Sequence, residues 1–216
     1  MLSQIANDKQ GKDVKIYDPY FCNGAVIENL NALGFPCVYN KKEDCYGVWK
    51  SSTGYPEYDC FVTNPPYSMD HIEKLVEHIT GPRMKGRPWF LLMPEWVHKK
   101  DYFLNKTKSQ QMEPFYLVPK KRYVYLPPKD YRVSKKSDTH KKSSPFNSMW
   151  YIWGGTKEKN EKLVQFCHSK VCTFSVVTMA KDSTEIQMEP RVPLSQACEI
   201  ARSKSALRDL RRKRKK

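Results

Sequence analysis

The sequence predicts an α/β fold in which a mostly parallel central sheet carries helices on both faces. Three observations predict it. Short β-rich runs alternate with helical stretches from Val14 to Gly81, in the order strand, helix, strand, loop, strand, helix; parallel strands joined by crossovers produce that alternation. The run from Trp89 to Met93 in "RPWFLLMPEW" is apolar throughout, as a strand covered on both faces must be. A length of 216 residues with 39% hydrophobic residues supplies one substantial core, which suits a single domain.

The elements follow in order. "MLSQIANDKQGKD" is a polar lead-in without the apolar stretch of a signal peptide. "VKIYDPY" alternates and reads as a strand ending near Asp18. "GAVIENLNALGF" puts Val26, Leu30 and Leu33 on one helical face, with Gly34 as the C-terminal cap. "PCVYN" is a second short strand, and residues 41–56 are loop with room for a short helix. "YDCFVT" is the third strand. In "MDHIEKLVEHITG", Ile72, Leu75, Val76 and Ile79 share a face, Asp70 stands near the start and Gly81 follows. Beyond the Trp89–Met93 strand, "HKKDYFLNKT" reads as helix, and "FYLVP" and "RYVYLPP" as strands. "NSMWYIWGG" is a strong strand stopped by Gly154 and Gly155, with Trp150, Tyr151 and Trp153 as core residues. "EKNEKLVQFCHSK" is helical, "CTFSVVTM" is a strand candidate, and a basic helix or tail begins near Arg202. The domain therefore spans 1–201 and the tail 202–216.

Two stretches stand at strand ends, where open α/β sheets bind ligands. "DPYFCNGA", Asp18 to Ala25, is a tight strand-to-helix turn. Gly24 suits the backbone of such a turn, and the helix start behind it offers free N–H groups. "NPPYS", Asn64 to Ser68, is a stiff tip. Two prolines end the strand and hold Asn64 extended, leaving an amide, unladdered carbonyls and an aromatic ring.

Taken together, these stretches resemble the Rossmann-like S-adenosylmethionine-dependent methyltransferases that methylate amino nitrogens of flat groups, the N6-adenine type among them. The catalytic motif of that family is [D/N/S]-P-P-[Y/F/W], which "NPPY" matches in full, with Asp59 ahead of it and the cofactor motif upstream. The resemblance extends to about Gly155, because "VPKKRYVYLPP" followed by "SSPFNSMWYIW" looks like the closing C-terminal antiparallel hairpin of these enzymes. It implies S-adenosylmethionine as cofactor, with Asp18, Pro19 and Gly24 near its methionine end and Tyr20 and Cys22 in the same turn. Cys22 stands where the family usually has a glycine. The ribose acceptor is open: "VYNKKED" offers Asn40, Glu43 and Asp44, of which Asn40 and Asp44 are the candidates. A carboxylate is the better acceptor for two hydroxyls.

The chemistry explains the motif. The lone pair of an exocyclic amine is delocalised into its ring, so the amine is a poor nucleophile. Acceptors at the Asn64 side-chain oxygen and the Pro65 carbonyl would draw it toward tetrahedral geometry and stabilise the charge that develops. Pro66 stiffens the tip, and Tyr67 would stack on the ring. A stacked base must be flipped out to reach such a pocket. Trp96 in "PEW", with Glu95 beside it, and Phe146 and Asn147 in "SSPFNSMW" are candidates for holding the target. His71 and His98 flank the cleft without a defensible catalytic arrangement and read as surface or capping residues.

The net charge is +15, which bears on partners rather than fold. "KDYRVSKKSDTHKK" is basic, and its Lys135 and Lys136, with the nearby Tyr123, suit phosphates and unpaired bases. The last fifteen residues hold nine Lys or Arg and one Asp, which reads as a nuclear or nucleolar address; without it the location is cytoplasmic. The partner is nucleic acid, RNA slightly ahead of DNA because no separate duplex-reading domain is evident. Alternatives within the fold are guanine N2, protein glutamine, or an inactive relative that binds nucleic acid. The glycine pattern disfavours a dinucleotide-dependent oxidoreductase. The seven cysteines are scattered, and "CHSKVC" is an isolated pair, so no metal is expected.

Overall fold

The structure, a computed structural model, describes residues 9–123, 146–171, 177–182 and 184–186. Seven strands form one sheet: β1 (Ile16–Tyr17), β2 (Val38–Tyr39), β3 (Cys60–Thr63), β4 (Trp89–Pro94), β5 (Phe115–Pro119), β6 (Ser148–Trp153) and β7 (Val177–Ala180). Their spatial order is β2-β1-β3-β4-β6-β5-β7. The first four in that order pair in parallel, and every later pairing is antiparallel. Consequently β5 points the same way as β4, while β6, wedged between them, and β7 at the edge run the other way. The mostly parallel sheet and the closing β5–β6 hairpin are both present. Of the second hairpin segment, "RYVYLPP", Arg122 and Tyr123 lie outside any strand; the rest lies outside the described residues, as do Cys172 and the tail from 202.

The helices are α1 (Ala25–Ala32), α2 (Cys45–Lys50), α3 (His71–Ile79), α4 (Asp101–Ser109) and α5 (Lys157–Val171). Side chains alternate across each strand, which divides the core into two layers. Tyr17, Phe61, Leu91 and Tyr151 face Trp49 of α2, Leu75 and Ile79 of α3 and Phe103 of α4. On the other face Ile16, Val62, Phe90 and Ile152 meet Leu30 of α1 and Leu163 and Cys167 of α5. Helix α3 buries all four residues of its predicted face, Ile72, Leu75, Val76 and Ile79, at roughly 1.5–3 kcal/mol each. Helix α1 departs from expectation: Leu30 is buried, but Leu33 is 72% exposed. The helix ends at Ala32 with Leu33 as its C-cap, and Gly34, with φ of 86°, turns the chain after it.

The end of β6 is clamped. Asn160 accepts from the Gly154 N–H at 2.9 Å and donates to the Glu113 carbonyl at 2.8 Å, joining β6, the first turn of α5 and the approach to β5. Gly155 has φ of 89°, and a Cβ there would stand 2.5 Å from the Gly86 carbonyl oxygen, so the turn requires glycine. Cys167 is buried in the second layer, and burial pushes its thiol up to about 11. Among the described residues no group of three His, Cys, Asp or Glu could hold a metal ion, and no helix is long and apolar enough to cross a membrane.

Candidate functional site

Strand β1 lies between β2 and β3, so the chain steps to one side of β1 and then crosses to the other. Such a reversal opens a crevice at the carboxyl ends of the strands. The turn after β1 enters it with two successive left-handed residues, Asn23 (φ 52°) and Gly24 (φ 70°), the latter capping α1. A Cβ at Gly24 would meet only Phe21, at 3.8 Å, so conformation rather than space favours glycine there.

Asp18 is 7% exposed. Thr63 Oγ1 donates to its Oδ1 at 2.6 Å and the Tyr20 N–H to the same oxygen at 3.2 Å. Burial outweighs these two bonds and raises the carboxyl to about 6. Asn40, also buried, donates its amide N–H groups to the carbonyls of Asp18 (3.0 Å) and Tyr20 (3.3 Å), while its Oδ1 is buried with no partner among the described residues.

A cavity of about 620 Å³ lies over this turn, lined by residues 19–23, residues 42–46, Pro66 and His71. Of the residues singled out from the sequence, Pro19, Tyr20, Cys22, Asp44 and Pro66 line it. Asp18, Gly24 and Asn40 are not among the lining residues; they shape the turn. Asp44 caps α2 by accepting from the Tyr46 N–H at 3.1 Å, and Glu43 accepts from the Tyr39 hydroxyl at 3.3 Å. Sequence reasoning missed Tyr46 and placed His71 beside the cleft only as a surface or capping residue. Their rings stack at 5.8 Å, the Tyr46 hydroxyl bonds His71 Nδ1, and the Tyr20 hydroxyl stands 3.3 Å from that of Tyr46. His71 is thus part of a cavity wall rather than a surface residue. No local spacing announces this cluster, because it joins three separate elements. Thr63 was also missed, although a polar residue closing the apolar run "CFVT" was its signal.

Beside the cavity stands the Asn64 tip, with Asn64 and Pro66 exposed, Pro65 buried and Tyr67 half-buried. The Tyr67 hydroxyl lies 2.7 Å from Asn64 Oδ1 and 3.0 Å from the Leu92 carbonyl oxygen of β4, and Phe146 meets its ring edge-on at 5.4 Å. Asn147, buried, donates to Glu95 Oε2 at 3.1 Å, and its carbonyl accepts from the Glu95 N–H at 2.9 Å. The structure therefore brings Phe146 to the Asn64 tip and Asn147 to the end of β4. Trp96 is half-buried, with the Lys100 ammonium 5.5 Å above its ring. His98 is buried rather than at the surface: its N–H donates to the Tyr151 hydroxyl at 3.0 Å and its ring bonds the Glu95 carbonyl, while burial lowers its basicity. Asp59 sits at the far end of β3 from Asn64, paired with Lys9 at 2.8 Å. Because β5 runs with β4, the exposed Lys120, Lys121 and Arg122 leave the sheet at the same edge as Asn64, followed by half-buried Tyr123. Lys135 and Lys136 lie outside the described residues.

The sequence matches no protein-family model and no curated protein. Among solved structures, the chain is similar to geranyl diphosphate C-methyltransferase from Streptomyces coelicolor A3(2), determined with Mg2+, geranyl diphosphate and S-adenosyl-L-homocysteine, at a TM-score of 0.37 and 10% identity over 70% of this chain and 76% of that one. It is also similar to a geranyl diphosphate methyltransferase bound to GPP and sinefungin, at a TM-score of 0.40 and 9% identity over 72% of this chain and 75% of that one. Likenesses this low transfer no residue and no substrate to this chain.

Proposed function

We propose that the chain is an S-adenosylmethionine-dependent methyltransferase acting on an exocyclic amino group in nucleic acid, with adenine N6 the target and RNA favoured over DNA. One observation carries the reading. The turn after β1 and the Asn64 tip after β3 meet at one edge of the sheet, tied by the 2.6 Å bond from Thr63 to Asp18.

The residues present fit the cofactor. A cavity of about 620 Å³ takes a nucleoside-sized ligand. Asp18 supplies a carboxyl that a neighbouring ammonium would hold ionised, and Pro19, Tyr20, Cys22 and Gly24 form the turn around it. Asp44, at the cavity wall, is the better ribose acceptor, with Glu43 adjacent; Asn40 braces the turn. When bound, the cofactor supplies a methyl group on a positively charged sulfur.

The chain's own residues prepare the amine. Asn64 Oδ1 and the Pro65 carbonyl accept its two N–H bonds, favouring the tetrahedral nitrogen and stabilising its positive charge until the surplus proton passes to water. Pro66 stiffens the tip. Tyr67 stacks on the base, backed by Phe146, while Asn147 holds Glu95 at the rim beside Trp96. Tyr123 and the lysines at 120, 121, 135 and 136 take the flanking nucleotides and phosphates, and the tail is a nuclear or nucleolar address.

The test is single-turnover transfer from labelled cofactor to RNA and DNA fragments, with the modified nucleosides resolved. Label in N6-methyladenine is expected. Label in N2-methylguanine or in protein glutamine moves the reading to that target. No transfer, together with no calorimetric heat on adding cofactor, defeats it.

A further inference from the structure

We propose that Met69 is a wedge that takes the place of the target base in the nucleic-acid stack when that base turns into the pocket at Asn64. The role rests on the reading above and adds to it the group that closes the gap left behind.

Two observations single out this residue. Met69 is left-handed, with φ of 55°, a conformation that non-glycine residues other than asparagine and aspartate rarely take. Two other described residues share it: Asn23 is of the tolerant type, and Gln111 follows the end of α4, where such residues are common. Met69 is also 91% exposed, the most exposed large hydrophobic residue among those described, and it belongs to neither core layer. The fold does not need its side chain. Asp70 secures the start of α3 instead: its carbonyl accepts from the Lys74 N–H at 2.9 Å, and its Oδ2 pairs with Lys74 Nζ at 2.9 Å. Backbone strain of this kind collects at functional sites.

Position supplies the role. Met69 stands in the chain between the Asn64 tip and His71, and Pro66 and His71, on either side of it, both line the cavity. From Asn64 to Met69 is at most about 18 Å of extended chain, so Met69 rims the entrance that a target base must pass. A base that leaves its stack strips its two neighbours of a contact face, and that loss is part of what turning it out costs. An apolar side chain pushed between those neighbours restores the contact, and methionine is one of the residue types that make such wedges. Its unbranched chain adapts to any neighbouring base, and its sulfur packs favourably on aromatic rings. The left-handed turn keeps the side chain out in solvent, where an incoming strand can bury it.

Binding tests the wedge without methyl transfer. One probe is a short fluorescein-labelled RNA with one adenine among uridines. The other is the same strand with no bases on the two nucleotides beside the adenine. Each is titrated by anisotropy with S-adenosylhomocysteine present. Glycine suits a left-handed backbone, so Met69→Gly should fold, which its melting temperature checks. It should weaken binding of the complete strand about tenfold, and of the strand without neighbouring bases by no more than about twofold. Met69→Leu, which keeps an apolar side chain, should bind both strands as the wild type does. Equal weakening on the two strands would make Met69 an ordinary surface contact, and no weakening on either would mean that the strand never meets it; both overturn the wedge. If the wild type methylates the adenine and Met69→Gly binds both strands unchanged, the wedge falls and the assigned reaction stands. The expected difference between the strands, in a protein that transfers no methyl group, sustains the wedge and defeats only that reaction. A wild type that binds neither strand defeats both.

Discussion

Thr63 Oγ1 donates a 2.6 Å hydrogen bond to Asp18 Oδ1, so the last residue of β3 holds the first residue after β1. The parallel register, Tyr17 beside Phe61, sets the two strand ends side by side. Asn64 is the next residue along, so this bond couples the acceptor tip to the carboxyl beneath the cavity.

Thr63→Val keeps the β-branched shape and removes the donor. Asp18 Oδ1 then retains only the Tyr20 N–H, and the carboxylate form loses support. Hydrogen bonds to charged groups contribute roughly 1.5–3 kcal/mol, so S-adenosylhomocysteine should bind about tenfold or more weakly at pH 7.5 by calorimetry. Unchanged affinity would detach Asp18 from the cofactor.

Asp18 also makes stability depend on pH. Burial raises its folded pKa from the ordinary 3.8 to about 6, so the fold favours the neutral acid. That contribution is complete below about pH 4 and is lost as pH rises through 6. Relative to Asp18→Asn, the unliganded wild type should lose roughly 3 kcal/mol between pH 4 and pH 8. Denaturant unfolding of both proteins across that range measures it, and a constant difference between them counts against the shift.

Asn64→Ala should depress kcat by about a hundredfold or more while leaving cofactor affinity unchanged, because the charge it stabilises exists only during transfer. Tyr67→Ala should weaken target binding as well, by roughly 1–3 kcal/mol for a missing stacking platform. Single-turnover kinetics separate the two effects. Full activity of Asn64→Ala would reduce the tip to a strand stop.

Replacing Lys120, Lys121 and Arg122 with glutamine should flatten the salt dependence of nucleic-acid binding. On single strands the logarithmic slope should fall by roughly 0.7 for each phosphate that these side chains neutralise. Removing residues 203–216 tests the tail in the same assay, and a fluorescent fusion with and without it tests the address. An unchanged slope after either change means those residues touch no phosphate.

By itself, the sequence determined the elements and the two motifs. The apolar run at Trp89–Met93, the spaced face of α3 and the paired prolines at 65 and 66 are local signals, because strand burial, helix periodicity and backbone restriction act over a few residues. The placement of "DPYFCNGA" and "NPPY" at strand ends followed from the same local pattern. Tertiary structure decided which residues meet. The 2.6 Å contact of Thr63 with Asp18 comes from the β1–β3 register. The stack of His71 on Tyr46 comes from the packing of α3 against α2 beside the first turn, and the burial of Asn40 from that turn folding over β2. Leu33 had the spacing of a core residue, yet it is the C-cap of α1 and stands 72% exposed. Contacts between elements depend on crossing, register and the point at which each element ends, and no short window of sequence carries those quantities.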